Sequence, residues 1–143
     1  ERAGKVEAAA AAYKRAIARE PEAGEYYHNL GFLYVEMGAE AEAETMFRQA
    51  LVRNPHQVEA HFSLGGLYLD QRRYQRAVDA YMAALELQPD YADAWINLAS
   101  AQLHLGRNAE ALAAYRRGVS LELSADIRAR VERQIAGLEA PAD

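Results

Sequence analysis

Few residues of this chain combine the types and spacing that covalent chemistry requires. Its histidines, His28, His56, His61 and His104, never fall in the HExxH spacing that sets two imidazoles and a general base on one helix face. There is no cysteine to act as nucleophile, metal ligand or disulfide partner. Ser63 lies in HFSLGG, which lacks the glycine before the serine that a nucleophile elbow uses. Gly65 and Gly66 stand inside a helical pattern with no strand before them and no lysine after, so they make no phosphate loop. The reading is therefore a protein that is not an enzyme, with no catalytic residue, no metal and no cofactor.

What remains is noncovalent chemistry at regular intervals. Glu25, Glu59 and Asp93 recur 34 residues apart, and at the same interval come His28, Phe62 and Ile96, then Asn29, Ser63 and Asn97. Phe32 is followed by Gly66 and Ser100, and Glu36 by Asp70 and His104. Carboxylates attract cations, aromatic and aliphatic groups take apolar contact, and an Asn amide both donates and accepts, which suits a peptide backbone. Segments 24–37, 58–71 and 92–105 hold five acids, Glu25, Glu36, Glu59, Asp70 and Asp93, and none of the chain's 16 basic residues. Such a surface focuses a negative potential and favours a basic partner. The competing explanation is burial: segments packed inside a solenoid are short of long basic side chains, and an Asn can serve a helix surface or a neighbouring turn.

The elements that must carry these residues follow from the period. Pro21, Pro55 and Pro89 are 34 residues apart, each after a helix-like run. Proline ends a helix because it lacks the amide and clashes with the preceding turn. In the same register stand Ala9, Ala43, Ala77 and Ala111, then Tyr13, Phe47, Tyr81 and Tyr115, then Ala16, Ala50, Ala84 and Gly118. This small, large, small stripe at i, i+4, i+7 lets a neighbouring helix approach closely. A second stripe upstream reads Tyr27, Leu30, Gly31, Tyr34, then His61, Leu64, Gly65, Tyr68, then Trp95, Leu98, Ala99, Gln102. Each unit thus holds two helices, at 24–37 and 40–53, 58–70 and 74–87, 92–105 and 108–121, with one further helix at 5–19. Gly38 and Gly106 fall at the turns with Gly4 in the same register, whereas the middle unit turns at Arg72.

These positions resemble the tetratricopeptide repeat, in which aromatic, Leu-Gly, Tyr, Ala, aromatic and Pro recur at this period. The departures are His61 at the aromatic position, Gln102 for Tyr, Gly118 for Ala and Leu123 for Pro. The resemblance implies an all-α, right-handed α-solenoid in one domain over 1–143: a half repeat at 4–23, repeats at 24–57, 58–91 and 92–123, a capping helix at 124–138 and a frayed tail at 139–143. Ser124 is the expected N-cap, with Ile127, Val131, Ile135 and Leu138 on one face. The half repeat leaves Ala8, Ala12 and Ala16 uncovered, reads as the continuation of a longer chain, and offers a surface for head-to-tail self-association.

In that family the second face of each first helix lines the concave groove, so the resemblance implies ligand contact at Glu25, His28, Asn29, Phe32, Glu36, Glu59, Phe62, Ser63, Asp70, Asp93, Ile96, Asn97, Ser100 and His104, with Val35, Leu69 and Leu103 adding apolar area. Acids at 25, 59 and 93 argue against an adaptor for acidic chaperone tails. The expected function is a protein-interaction scaffold whose partner presents Lys or Arg beside apolar residues. Two alternatives stay open: the substrate-recruiting arm of a larger enzyme such as a glycosyltransferase, since Asn29 and Asn97 are similar to the asparagine ladder of O-linked N-acetylglucosamine transferases, and a self-assembling module. A net charge of −5 and a pI near 5.4 argue against nucleic acid. The run Val6–Ala12 contains Glu7 and is too short to insert in a membrane, so it reads as helix. The preponderance of Arg over Lys points to a GC-rich, bacterial genome, while nothing indicates a compartment.

Overall fold

A computed structural model describes residues 1–141. Among them lie eight helices and no strand: α1 (Arg2–Arg19), α2 (Gly24–Glu36), α3 (Glu40–Arg53), α4 (Val58–Asp70), α5 (Tyr74–Leu87), α6 (Ala92–His104), α7 (Asn108–Val119) and α8 (Ala125–Glu139). The paired helices begin and end within one or two residues of the expected limits. Gly4 is a correction: α1 starts at Arg2, so Gly4 lies inside a helix and makes no turn. The run Val6–Ala12 is helical throughout. Of the tail expected to fray from Glu139, that residue ends α8 and pairs with Arg116, while residues 142 and 143 lie outside the described residues.

The three helix-to-helix turns are built alike. Gly38 and Gly106 both sit at φ 73°, and Arg72 occupies the same left-handed region at φ 58°. In each turn the next amide closes back over the helix end: Ala39 N–H donates to Tyr34 O at 2.8 Å, Arg73 to Tyr68 O at 2.8 Å, and Arg107 to Gln102 O at 2.9 Å. These bonds satisfy carbonyls that the helix leaves without partners. Arg72 therefore adopts glycine's conformation without being glycine, a cost that the closing hydrogen bonds offset.

The chain divides into two compact units, one of residues Glu1–Leu67 and one that begins at Tyr68. In the first, α1 packs on α2 and α2 on α3. Leu30, Ala43, Phe47 and Ala50 are buried, and Tyr27, Ala50 and Ala60 share a cluster with Ile17, Met46 and Leu51. Gly31 is required by this crossing, since a Cβ there would stand 2.7 Å from the Phe47 ring. In α1 the corresponding stripe is less covered: Ala9, Tyr13 and Ala16 are half-buried, Ala10 is buried, and Ala8 and Ala12 are exposed.

In the second unit α5 packs on α6, α6 on α7 and α7 on α8. Ala77, Tyr81 and Ala84 are buried with Leu98, Ala99, Ala111 and Tyr115, and Val131 of α8 seals the end. Gly118 departs from Ala because a Cβ there would lie 3.1 Å from Ile96 Cγ1. Ser124 caps α8 as expected, its Oγ accepting from Ile127 N–H at 3.4 Å. Arg128, assigned by its sequence to the solvent side, instead donates to Val119 O at 2.6 Å and to Leu121 O at 3.1 Å. The guanidinium thus closes the end of α7 where no proline follows.

The departure at His61 has a physical account. Tyr27 Oη donates to Pro21 O at 3.0 Å, His61 Nε2 to Pro55 O at 2.9 Å, and Trp95 Nε1 to Pro89 O at 2.9 Å. Three different rings meet one demand: an apolar body with a donor at its tip, aimed at the carbonyl six residues earlier. The carbonyl only accepts, so the proton of the neutral His61 ring sits on Nε2.

Candidate protein-interaction face

In the first unit, Glu25 on α2 and Glu59 on α4 are exposed, and each lies in the first turn of its helix. Asp93 does the same on α6 in the second unit. The helix macrodipole favours carboxylates there, worth about 0.3–1 kcal/mol each. That stabilisation is a reason for the acids that the spacing alone does not reveal, and it operates whatever else they meet.

Phe32 is 55% exposed and Val35 is also open, so the α2 face offers apolar area to solvent. Phe62 is half-buried. His28 and Asn29 are half-buried, with His28 Nε2 3.0 Å from Ser63 Oγ and its ring 5.6 Å from that of Phe47. Burial lowers the His28 pKa from its ordinary 6.5, opposed by the Glu59 charge and by hydrogen bonding with Asn29. His28, Asn29 and Ser63 thus form one local network on the face. Glu36 is paired with Arg2 of α1 at 3.4 Å. The sequence places no basic residue on α2, but folding brings one beside it.

In the second unit, Asp70 is exposed, while Ile96 is only 7% exposed. Ile96 is a correction to the expected contact set: it packs toward Gly118, because the missing methyl on α7 leaves room for it, and is spent on the core. With Asn97, Ser100 and Tyr115 it lines a cleft of about 290 Å³ closed by Arg130, Val131 and Gln134 of α8. Arg130 is a basic group on an otherwise acidic face, and it depresses the Tyr115 phenol that burial pushes up. Burial likewise raises Tyr81, with the Asn97 side chain acting in the opposite direction. His104 stacks on Tyr74 at 4.4 Å between centroids, and its Nδ1 donates to Ser100 O at 2.8 Å. Among the described residues no group of three or more His, Asp or Glu is placed to hold a metal ion.

The same arrangement of helices is found in known proteins. The tetratricopeptide repeat model matches residues 33–89 and again 67–126, and a TPR repeat model matches residues 2–38. The chain belongs to the tetratricopeptide repeat family. Two crystal structures of MamA superpose with TM-scores of 0.85 and 0.84 at 26% identity, each over 94% of this chain and over 77% and 72% of theirs. The type III secretion translocator chaperone SycD of Yersinia enterocolitica superposes at a TM-score of 0.75 and 18% identity, over 80% of this chain and 82% of its own. A comparison with curated proteins finds no match. The fold is an all-α tetratricopeptide repeat solenoid, and such a fold is a scaffold for binding another protein. No described helix is long and apolar enough to cross a membrane.

Proposed function

We propose that this tetratricopeptide repeat protein binds a polypeptide segment that carries Lys or Arg beside apolar residues. The observation that carries the reading is the α2 face, where exposed Glu25 and, on α4, Glu59 flank the exposed ring of Phe32. A carboxylate pair around an apolar platform recognises a cation on an apolar stem, and an aromatic face adds cation–π attraction. In the second unit Asp93 and Asp70 supply the same charge, while Arg130 makes the cleft beside Asn97 and Ser100 suited to an uncharged or acidic group.

Within this reading His28 and Ser63 hold each other and position the platform, and Asn29 is left with part of its amide for a peptide backbone. Glu36, paired with Arg2, and His104, stacked on Tyr74, contribute shape more than charge. Selection of displayed peptides against the protein tests the proposal. Winning sequences are expected to be enriched in Lys and Arg next to apolar residues, and a Glu25→Lys, Glu59→Lys double variant is expected to lose that enrichment. Selection of acidic or charge-free peptides by both proteins contradicts it.

A further inference from the structure

The third repeat departs from its predecessors at one position that the acidic face does not use. Gln102 stands where the earlier repeats have Tyr34 and Tyr68, and it is only 7% exposed. Among the described residues its Oε1 meets no hydrogen-bond donor. A buried amide oxygen without a donor is uncommon, because the group has lost its water and gained nothing in return. Gln102 lines a cleft of about 550 Å³ between α5 and α7, floored by Trp95 and Leu98 and walled by Met82, Leu85 and Ala114. Met82 is 50% exposed, so the cleft opens to solvent beside a thioether.

The corresponding place in the first unit is filled. The cleft beside Tyr34 is about 230 Å³, and Lys14 Nζ lies 5.6 Å from the centre of the Tyr34 ring. Lys14 stands two repeats before Met82, and Tyr34 two repeats before Gln102. Where the first unit has a ring and a cation covering it, the second has a smaller amide and an open apolar wall.

We propose that this cleft is a second binding site, one that receives an aromatic side chain with a hydrogen-bond donor at its tip, tyrosine or tryptophan, from a partner polypeptide. The incoming ring takes the volume that Tyr34 fills for itself in the first unit. Its donor meets Gln102 Oε1, and Met82 lies against the ring through the sulfur-to-aromatic contact that methionine favours. The apolar floor supplies most of the affinity and the buried oxygen supplies the selectivity, since a ring without a donor leaves that oxygen unpaired.

Trp95 is the chain's single tryptophan and lines the cleft, so its indole resonance reports occupancy. The probes are para-cresol, which is the tyrosine side chain alone, and toluene, the same ring without the hydroxyl. Titration followed by NMR is expected to give saturable shifts at the Trp95 indole and the Gln102 side-chain amide. Para-cresol should bind roughly fivefold more tightly than toluene. Gln102→Tyr and Met82→Lys, which restore the residues of the first unit, should each weaken para-cresol binding roughly tenfold or more while helical content is unchanged. If Gln102→Tyr fails to fold, Met82→Lys decides, because residue 82 is half exposed. Absence of saturable shifts at Trp95, equal affinity for the two probes, or undiminished binding by folded Met82→Lys overturns the proposal.

Discussion

His28 links the chemistry of the face to the stability of the fold. Its folded pKa lies below the ordinary 6.5, chiefly because it is buried. On acidification the unfolded chain takes up that proton first, so the contribution is intact above about pH 6.5 and is lost as the pH falls through the folded pKa. Denaturant unfolding at about pH 7.5 and about pH 5 should therefore show a smaller acid-induced loss for His28→Gln than for the wild type. Equal losses would remove His28 from the account. Arg72 makes a second residue-scale case. At φ 58° it holds a conformation that suits glycine, and Arg72→Gly is expected to raise stability by about 1 kcal/mol in thermal or chemical unfolding. A destabilised variant would show that the Arg72 side chain has a use beyond the turn.

At the scale of helices, the crossings set the tolerance to change. Gly31 faces the buried Phe47 ring at a distance that leaves no room for a methyl group. Gly31→Ala is expected to cost about 1–3 kcal/mol, and Ala77→Leu, at a fully buried crossing, about the same. Arg76→Ala should cost less, since the exposed Arg76 meets only the edge of its surroundings near the Tyr68 ring, 5.8 Å from its centre. Equal losses at 77 and 76 in urea unfolding would mean that the helix register is misassigned. The polar tips form a third test: Tyr27→Phe removes the donor to Pro21 O, at a cost of about 1 kcal/mol, whereas His61→Trp keeps a donor and should be close to neutral.

Much of this level was legible in the residues themselves. A period of 34 with Pro, Gly and the small, large, small stripe identifies helices, turns and crossings because each is a local or nearest-neighbour property. What escaped depends on distances that no spacing encodes. Ile96 looked like a face residue until Gly118 made space for it in the core. Arg128 looked solvated until the end of α7 supplied two carbonyls. Arg2 looked remote from Glu36, 34 residues away, until α1 packed on α2. Gln102 could have been singled out from its sequence, as an amide where two tyrosines precede it, but only the cleft around it says what the difference leaves open.

For the molecule as a whole, the account rests on charge and apolar area combined on faces that the stacking positions leave free. The stacking residues answer to the solenoid and are silent about partners. Glu25, Glu59, Asp70 and Asp93 answer in part to helix dipoles and helix surfaces, and together with Phe32 they give the protein its own preference. Removing the acids one at a time should weaken a basic partner progressively, whereas the fold should change by no more than the helix-dipole contribution of each.

The most direct measurement is fluorescence anisotropy with a labelled peptide that intersperses Lys with Leu, beside a counterpart in which every Lys is Glu. The lysine peptide is expected to bind, to lose roughly tenfold in affinity as ionic strength rises and the screening length falls below about 8 Å, and to bind Glu59→Lys more weakly. Equal binding of the two peptides, or binding that ignores both salt and Glu59→Lys, would contradict the account.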